Sequence, residues 1–221
     1  MPPVAVIGGI GVNVQLSTTD EPHRATQDLD VVVDDDVSTA VEVLAQGNEL
    51  VRENTVVVAG IEIDVIPTES ITEDDLVDLD DGPRLFVAGH RWALETAEPV
   101  QIIASGETVI LEIPVASPAG LVATKSHAVG YARSGRRATK HGGDLYDLFR
   151  LVEAFDAQGA LRLALGDAPG GIGRTIAEVV ATEILAQPAR AMRQMSPAAS
   201  RPLDVERIVD AMEPFASDLT A

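Results

Sequence analysis

Three aspartates on two short β-branched runs are the residues of this chain whose types and spacing could do chemistry. Asp28 and Asp30 fall in Thr26-Gln27-Asp28-Leu29-Asp30-Val31-Val32-Val33, and Asp64 falls in Ile61-Glu62-Ile63-Asp64-Val65-Ile66. Side chains alternate along a strand, so Asp28 and Asp30 share a face. If the run carrying Asp64 pairs beside them, three carboxylates converge. They repel unless a cation lies between them, and hard oxygen ligands suit Mg²⁺. A diglycine, Gly8-Gly9, closes the first apolar run, Val4-Ala5-Val6-Ile7. Without side chains there, backbone N–H groups can approach a triphosphate. Arg24 and Thr26 precede the aspartate pair, where they can meet a phosphate or brace the loop. A strand, a glycine turn, an Asp-x-Asp and a third Asp is how a metal-dependent nucleotidyl-transfer site would be built.

A second constellation lies downstream, in Thr124-Lys125-Ser126-His127-Ala128 and in Lys140-His141-Gly142-Gly143-Asp144-Leu145-Tyr146-Asp147. Asp144 and Asp147 are three apart, hence on one face of a helix. A lysine facing carboxylates and metal can hold a triphosphate as a mobile point charge. A salt bridge tying two helices explains the same spacing, and both readings stand. Lys125, Arg133, Arg136, Arg137 and Lys140, with His127 and His141, form the densest basic stretch, the one plausible dock for phosphates.

The elements that must position these groups divide the chain. Runs at 4–7, 29–33, 55–58, 61–66, 101–104 and 108–113 are short, β-branched-rich and bounded by Gly, Asp or Pro, which predicts strands. Ala59-Gly60 and Ser105-Gly106-Glu107 read as hairpin turns. Spacing of Val37, Ala40, Val41 and Leu44 predicts a helix over 37–47, with Ser38 near its start and Gly47 at its stop. Ser117-Pro118 opens a helix expected to reach residue 133, and further helices are expected over 143–155, 174–186 and 205–215. The stretch 188–202, rich in Ser, Ala and Pro, reads as a linker, and the acidic stretch 73–81 as a solvated loop or helix edge. Strands first and helices second give an α+β class with a mixed-sheet core over 1–115 and a helical domain over 116–221.

Two other uses of these motifs fit poorly. Dinucleotide binding needs G-x-G-x-x-G, and Gly9-Ile10-Gly11-Val12-Asn13-Val14 lacks the third glycine. A calcium loop needs alternating oxygen ligands, which Leu76, Val77 and Leu79 interrupt.

The charge is unevenly spread. Residues 1–124 hold four basic and 23 acidic side chains, whereas residues 125–221 hold 12 of each, so the net charge of −19 belongs to the first part. That part as a whole repels polyanions, and bound cations would offset this only locally. Aromatic content of 3% within a hydrophobic content of 46% means a core of Val, Leu, Ile and Ala. No cysteine is present, which excludes a disulfide scaffold and thiolate metal sites. The start carries no signal-peptide pattern and no apolar run is long enough for a membrane span, so a cytoplasmic protein is expected.

Taken together, Gly8-Gly9, then His23-Arg24-Ala25-Thr26-Gln27-Asp28-Leu29-Asp30, Asp64, Lys125-Ser126-His127-Ala128 and Asp144-Leu145-Tyr146-Asp147-Leu148 resemble the AbiEii/MenT-type nucleotidyltransferases, toxins of bacterial type IV toxin–antitoxin pairs. The resemblance covers residues 4–152 and implies a DNA polymerase β-like nucleotidyltransferase core followed by a helical domain. It implies Mg²⁺, an NTP co-substrate and, for some members, transfer to tRNA 3′ ends, with a cognate antitoxin as protein partner. Asp28 and Asp30 match the metal-binding pair, Lys125 a lysine needed for activity, Asp144 a catalytic-site aspartate, and Asp64 the third carboxylate. Ile10 stands directly after Gly9, where the wider superfamily carries Ser or Thr, which leaves phosphate contact there to backbone groups. Two alternatives remain open from sequence: a nucleotide-binding regulatory module without catalysis, and a transferase acting on a small cationic acceptor such as an aminoglycoside, which an acidic surface suits.

Overall fold

Among the described residues seven strands form one mixed sheet, and its alternation decides where the three aspartates point. A computed structural model describes residues 4–17, 19, 23–26, 28–34, 37–68, 72–103, 110–131 and 138–220, leaving aside the side chains of 37–39, 110, 138 and 139. Gln27, the hairpin turn expected at 105–107 and Arg133, Arg136 and Arg137 lie outside the described residues, as does the side chain of Ser38. In chain order the strands are β1 (Val4–Ile7), β2 (Asp28–Asp34), β3 (Glu49–Arg52), β4 (Thr55–Val58), β5 (Ile61–Thr68), β6 (Glu98–Ile103) and β7 (Ile110–Val115). Their order across the sheet is β3-β4-β5-β2-β1-β7-β6. β2 runs antiparallel to β1 and parallel to β5, and β1 runs parallel to β7.

Period-two alternation separates two apolar clusters. Ala5 and Ile7 of β1, Val32 of β2 and Ile66 of β5 face the larger one, with the helices. Val4, Val6, Leu29, Val31, Val33, Ile63 and Val65 face the smaller one on the opposite side. Asp28, Asp30 and Asp64 share phase with Val32 and Ile66, so all three carboxylates project on the helical side. Shifting either strand by one residue would send them to the other face.

The helices are α1 (Gly8–Leu16), α2 (Val37–Ala45), α3 (Glu73–Val77), α4 (Asp81–Glu95), α5 (Pro118–Gly130), α6 (Ala138–Phe155), α7 (Ala160–Gly166), α8 (Ile172–Val180), α9 (Pro188–Met195) and α10 (Val205–Leu219). At the start of α5 the Ser117 hydroxyl accepts from the Gly120 N–H at 3.1 Å, with Pro118 in the first turn. Orphan amides are satisfied there as the sequence anticipates. The helix ends at Gly130, three residues before the expected stop.

Several elements depart from expectation. The 188–202 stretch contains α9, with Pro188 in its first turn and Ala191 and Met195 fully buried, so a proline that suggests a linker instead starts a helix. The acidic stretch contains α3, whose Thr72 and Asp75 form a reciprocal capping box. Helices α1, α4 and α7 and strand β3 are additions to the elements expected from sequence. α4 matters most, because Leu85 and Leu94 sink into the same apolar cluster as Leu121 of α5, Leu145 and Leu148 of α6, and Phe215 of α10. One continuous core thus joins the sheet's helical face to the C-terminal helices. Truncating a fully buried leucine in it, such as Leu121, costs about 2–5 kcal/mol. Among the described residues no helix is long and apolar enough to cross a membrane.

Candidate active site

β2 and β5 lie parallel with Asp30 opposite Asp64 and Asp28 opposite Glu62. One oxygen from each of Asp28, Asp30 and Asp64 lies within 4.8 Å of the others. Oxygens on opposite sides of an ion with bonds of about 2.1 Å are roughly 4.2 Å apart, so small side-chain rotations seat a hard divalent cation there. The donor set is all carboxylate, which selects Mg²⁺-like over softer ions. The three residues fit such an ion.

Their surroundings keep the cluster open. Gly8, at φ +65°, turns β1 directly into α1 beneath Asp30, and a Cβ there would sit 1.9 Å from Asp30 Oδ2. Gly9 is equally confined, because a Cβ there would meet Arg24 Nη2 at 2.8 Å and Thr26 Oγ1 at 3.1 Å. The diglycine therefore clears room for a carboxylate and a guanidinium. Thr55 of β4, opposite Asp64 in the hairpin, donates to Asp64 Oδ1 at 2.5 Å. Thr26 donates to Asp28 Oδ1 at 3.0 Å, and the Lys140 ammonium contacts Asp28 Oδ2. Burial works against the charged Asp28 carboxylate, but Lys140 and Thr26 outweigh it and hold the group below the usual carboxylate range. Asp30 goes the other way. Burial, helped by the nearby Asp28 and Asp64 charges, pushes it up to about 6 despite Lys125 and Lys140.

A second carboxylate, Asp147 of α6, is fully buried and organises the opposite wall. Arg24 donates to it twice, Nε to Oδ1 at 3.0 Å and Nη2 to Oδ2 at 2.8 Å. Arg150 Nη2 reaches Oδ1 at 2.9 Å and Lys125 Nζ reaches Oδ2 at 3.0 Å. Burial would raise the Asp147 carboxyl, but Lys125, Arg24 and Arg150 together hold it down at about 2. Lys125 Nζ also contacts Asp144 Oδ1 at 2.6 Å, so the buried lysine ties α5 to α6 while standing at the site. Desolvation alone would lower its pKa; Asp144 and Asp147 raise it instead, and Lys125 is a permanent cation. The salt bridge that ties the two helices is present, and the same lysine lines two cavities at the carboxylates.

Two cavities meet at the carboxylates. The larger, about 590 Å³, is lined by Gly9, Arg24, Thr26, Asp28, Gly143 and Gln194 among others. The smaller, about 190 Å³, is lined by Asp64, Phe86, His90, His127 and His141 among others. Asp30, Lys125, Lys140 and Asp144 belong to both. Asp28, Asp30, Asp64, Lys125, Asp144, Arg24, Thr26 and Lys140 thus line one or both of these cavities, with Gly8 in the smaller and Gly9 in the larger.

Nucleotidyl transferase AbiEii toxins of type IV toxin–antitoxin systems match residues 5–218. The chain belongs to that family. An AbiEii-family chain is a nucleotidyltransferase, and its co-substrate is an NTP. Among solved structures it is similar to an antigenic nucleotidyltransferase-like protein from Paracoccidioides brasiliensis, with 16% identity over 89% of this chain and 84% of that one, at a TM-score of 0.41. No curated protein matches the chain.

Sequence reasoning missed several supports of this candidate site. Asn13 of α1 clamps the Arg24 backbone, accepting from its N–H at 3.1 Å and donating to its carbonyl at 2.7 Å. Arg150 and Thr55 fix Asp147 and Asp64. Arg150 follows Asp147 at i+3, a helical spacing visible in the sequence. Phe86 and His90 sit on the unanticipated α4, so nothing pointed to them.

Proposed function

We propose that this AbiEii-family protein is a Mg²⁺-dependent enzyme that moves an NMP unit from an NTP to the end of an RNA, with tRNA as the physiological acceptor. In this reading the acceptor hydroxyl oxygen bonds to the α-phosphorus. The bond from that phosphorus to the α,β-bridging oxygen breaks, and pyrophosphate leaves with the electron pair. The hydroxyl proton passes to a carboxylate, Asp64 being the one on the acceptor side. Asp28, Asp30 and Asp64 hold the metal, which when bound supplies charge neutralisation at the attacking and leaving oxygens. Lys125 and Lys140 offer cations to the triphosphate, and Lys140 exchanges its Asp28 partner for phosphate oxygens. Arg24, fixed by Asp147 and Asn13, braces the loop that carries Thr26 to Asp28, and the backbone at Gly8 and Gly9 stays free of side chains near the phosphates. Asp144 keeps the Lys125 ammonium aimed at the junction.

The observation that carries this reading is the meeting of three carboxylate oxygens, within 4.8 Å of one another, with Lys125 and Lys140, which line both cavities at that point. Carboxylates alone would hold a cation, and lysines alone an anion. Their apposition suits a metal–triphosphate. Residues 1–115 act as the catalytic core and 116–221 as a helical domain contributing Lys125 and Asp144, in a cytoplasmic toxin neutralised by a cognate antitoxin.

The test incubates the protein with each α-labelled NTP and Mg²⁺, offering total tRNA, an aminoglycoside, or no acceptor. Label in tRNA supports the proposal. Label in the aminoglycoside alone would replace the acceptor, and saturable NTP binding with no product would replace catalysis by a regulatory role.

A further inference from the structure

The smaller cavity at the carboxylates has a composition unlike the rest of the chain. Phe, Trp and Tyr make up only 3% of the sequence, and there are four histidines. Three of these, His90, His127 and His141, line this one cavity together with Phe86. Phe86 lies 4.4 Å from His90 and 5.1 Å from His127, measured between ring centroids, at tilts of 48° and 58°. His90 is buried, and its Nδ1 lies 2.7 Å from the Phe86 carbonyl, which can only accept, so that nitrogen carries the proton. Burial drives the His90 pKa down to about 4, which leaves the ring neutral near pH 7. Ile7 and Ile66 complete an apolar floor.

The two cavities also differ in which carboxylate they own. Asp28 lines only the larger and Asp64 only the smaller, while Asp30 is common to both. A donor triphosphate suits the larger space, with Arg24, Lys140 and the glycine backbone. The other reactant must then come from the side of Asp64.

We infer that the cavity lined by Phe86, His90, His127 and His141 is the seat of the acceptor's terminal nucleobase, so that the acceptor is the last nucleoside of an RNA strand with a ribose hydroxyl directed to Asp64 and Asp30. This rests on the transfer reaction proposed above. A flat ring stacks on aromatic side chains whatever its identity, because every base has a π-face. About 190 Å³ suits one base. The rings and isoleucines offer the base its apolar contacts, and Asp30 and Asp64, which line the same cavity with Lys125, Lys140 and Asp144, are the acceptors for its ribose hydroxyl.

The experiment needs no turnover. A 5′-fluorescent RNA oligonucleotide ending in an intact 3′ nucleoside is compared with the same strand ending in an abasic ribose, by anisotropy with the full chain and Mg²⁺, without NTP. Wild type should bind the intact end about 5-fold or more tightly. His127→Leu and Phe86→Leu should lose that preference, and His127→Phe should keep it; NTP binding by all three reports that they are folded. Equal binding of both strands by wild type, or a preference that survives in both leucine variants, would overturn the proposal. Transfer of labelled NMP to the intact strand is measured in parallel. Base-dependent binding without transfer defeats the transfer reaction and leaves the base seat standing. Transfer without base dependence does the reverse.

Discussion

Asp30 stands opposite Asp64 across the parallel β2 and β5 ladder, and opposite Ile7 across the antiparallel β1 and β2 ladder. The first pairing brings two carboxylates together. The second places Asp30 over the turn at Gly8, where any side chain would collide with it. Register, not proximity in sequence, builds the site.

Gly8→Ala tests this directly. Its Cβ would overlap Asp30 Oδ2, and its φ of +65° is a left-handed conformation that alanine adopts poorly. The backbone strain costs about 1–3 kcal/mol, and Asp30 must leave its rotamer. We expect a lower melting temperature and loss of Mg²⁺-dependent stabilisation in thermal shift. A variant with wild-type metal dependence would contradict the placement of Asp30.

Asp147→Asn should unfold the opposite wall. Asp147 is fully buried and accepts from Arg24, Arg150 and Lys125, so its neutral replacement leaves three cations undercompensated. Breaking a buried ion pair from one side costs about 3–5 kcal/mol. Urea denaturation should record a loss of this size, and NTP affinity should fall as Arg24 and Lys125 lose their shared anchor.

Acid should act on the fold through groups of opposite sign: the contributions of His90 and Asp147 are lost as pH falls, whereas Asp30, raised to about 6, takes up its proton in the folded state and opposes that loss between about pH 6 and 3.8. His90 is neutral when folded, with its pKa lowered from 6.5 to about 4. Between those values the unfolded chain binds the extra proton, so the stability present above pH 6.5 is lost as pH falls towards 4. The slope this group adds is up to about 1.4 kcal/mol per pH unit. Asp147, lowered from 3.8 to about 2, contributes stability above pH 3.8 that is lost as pH falls through 2. Urea titrations from pH 7 to 4 should give a shallower decline for His90→Gln than for wild type. Parallel declines would mean that His90 is not held neutral by burial.

Much of this site is legible in the order and spacing of the residues. Period-two alternation puts Asp28 and Asp30 on one face, and the β-branched run 61–66 supplies a partner strand for Asp64. The Ser117-Pro118 cap marks the start of the helix carrying Lys125. What stays hidden depends on distant pairing or on elements with mixed signals. α1 opens on Gly8-Gly9, residues that propensity reads as a turn, and its Asn13 acts only because the chain folds back to Arg24. α4 begins Asp81-Gly82-Pro83 and carries His90, Arg91 and Trp92, so its apolar face is broken in sequence although Leu85, Ala88, Ala93 and Leu94 are buried. The missed α9 illustrates the ambiguity of proline, which marks a loop or the first turn of a helix equally well.

The measurement that bears most directly on the central claim is transfer of α-labelled NMP to RNA by wild type and Asp30→Asn, with and without Mg²⁺. Asp30 is shared by both cavities, and the substitution keeps its shape while removing a charge from a repelling cluster. We predict label in RNA for wild type only with Mg²⁺, none for Asp30→Asn, and a melting temperature of the metal-free variant equal to or above that of wild type. Undiminished transfer by Asp30→Asn, or transfer by wild type without any divalent cation, would contradict the account.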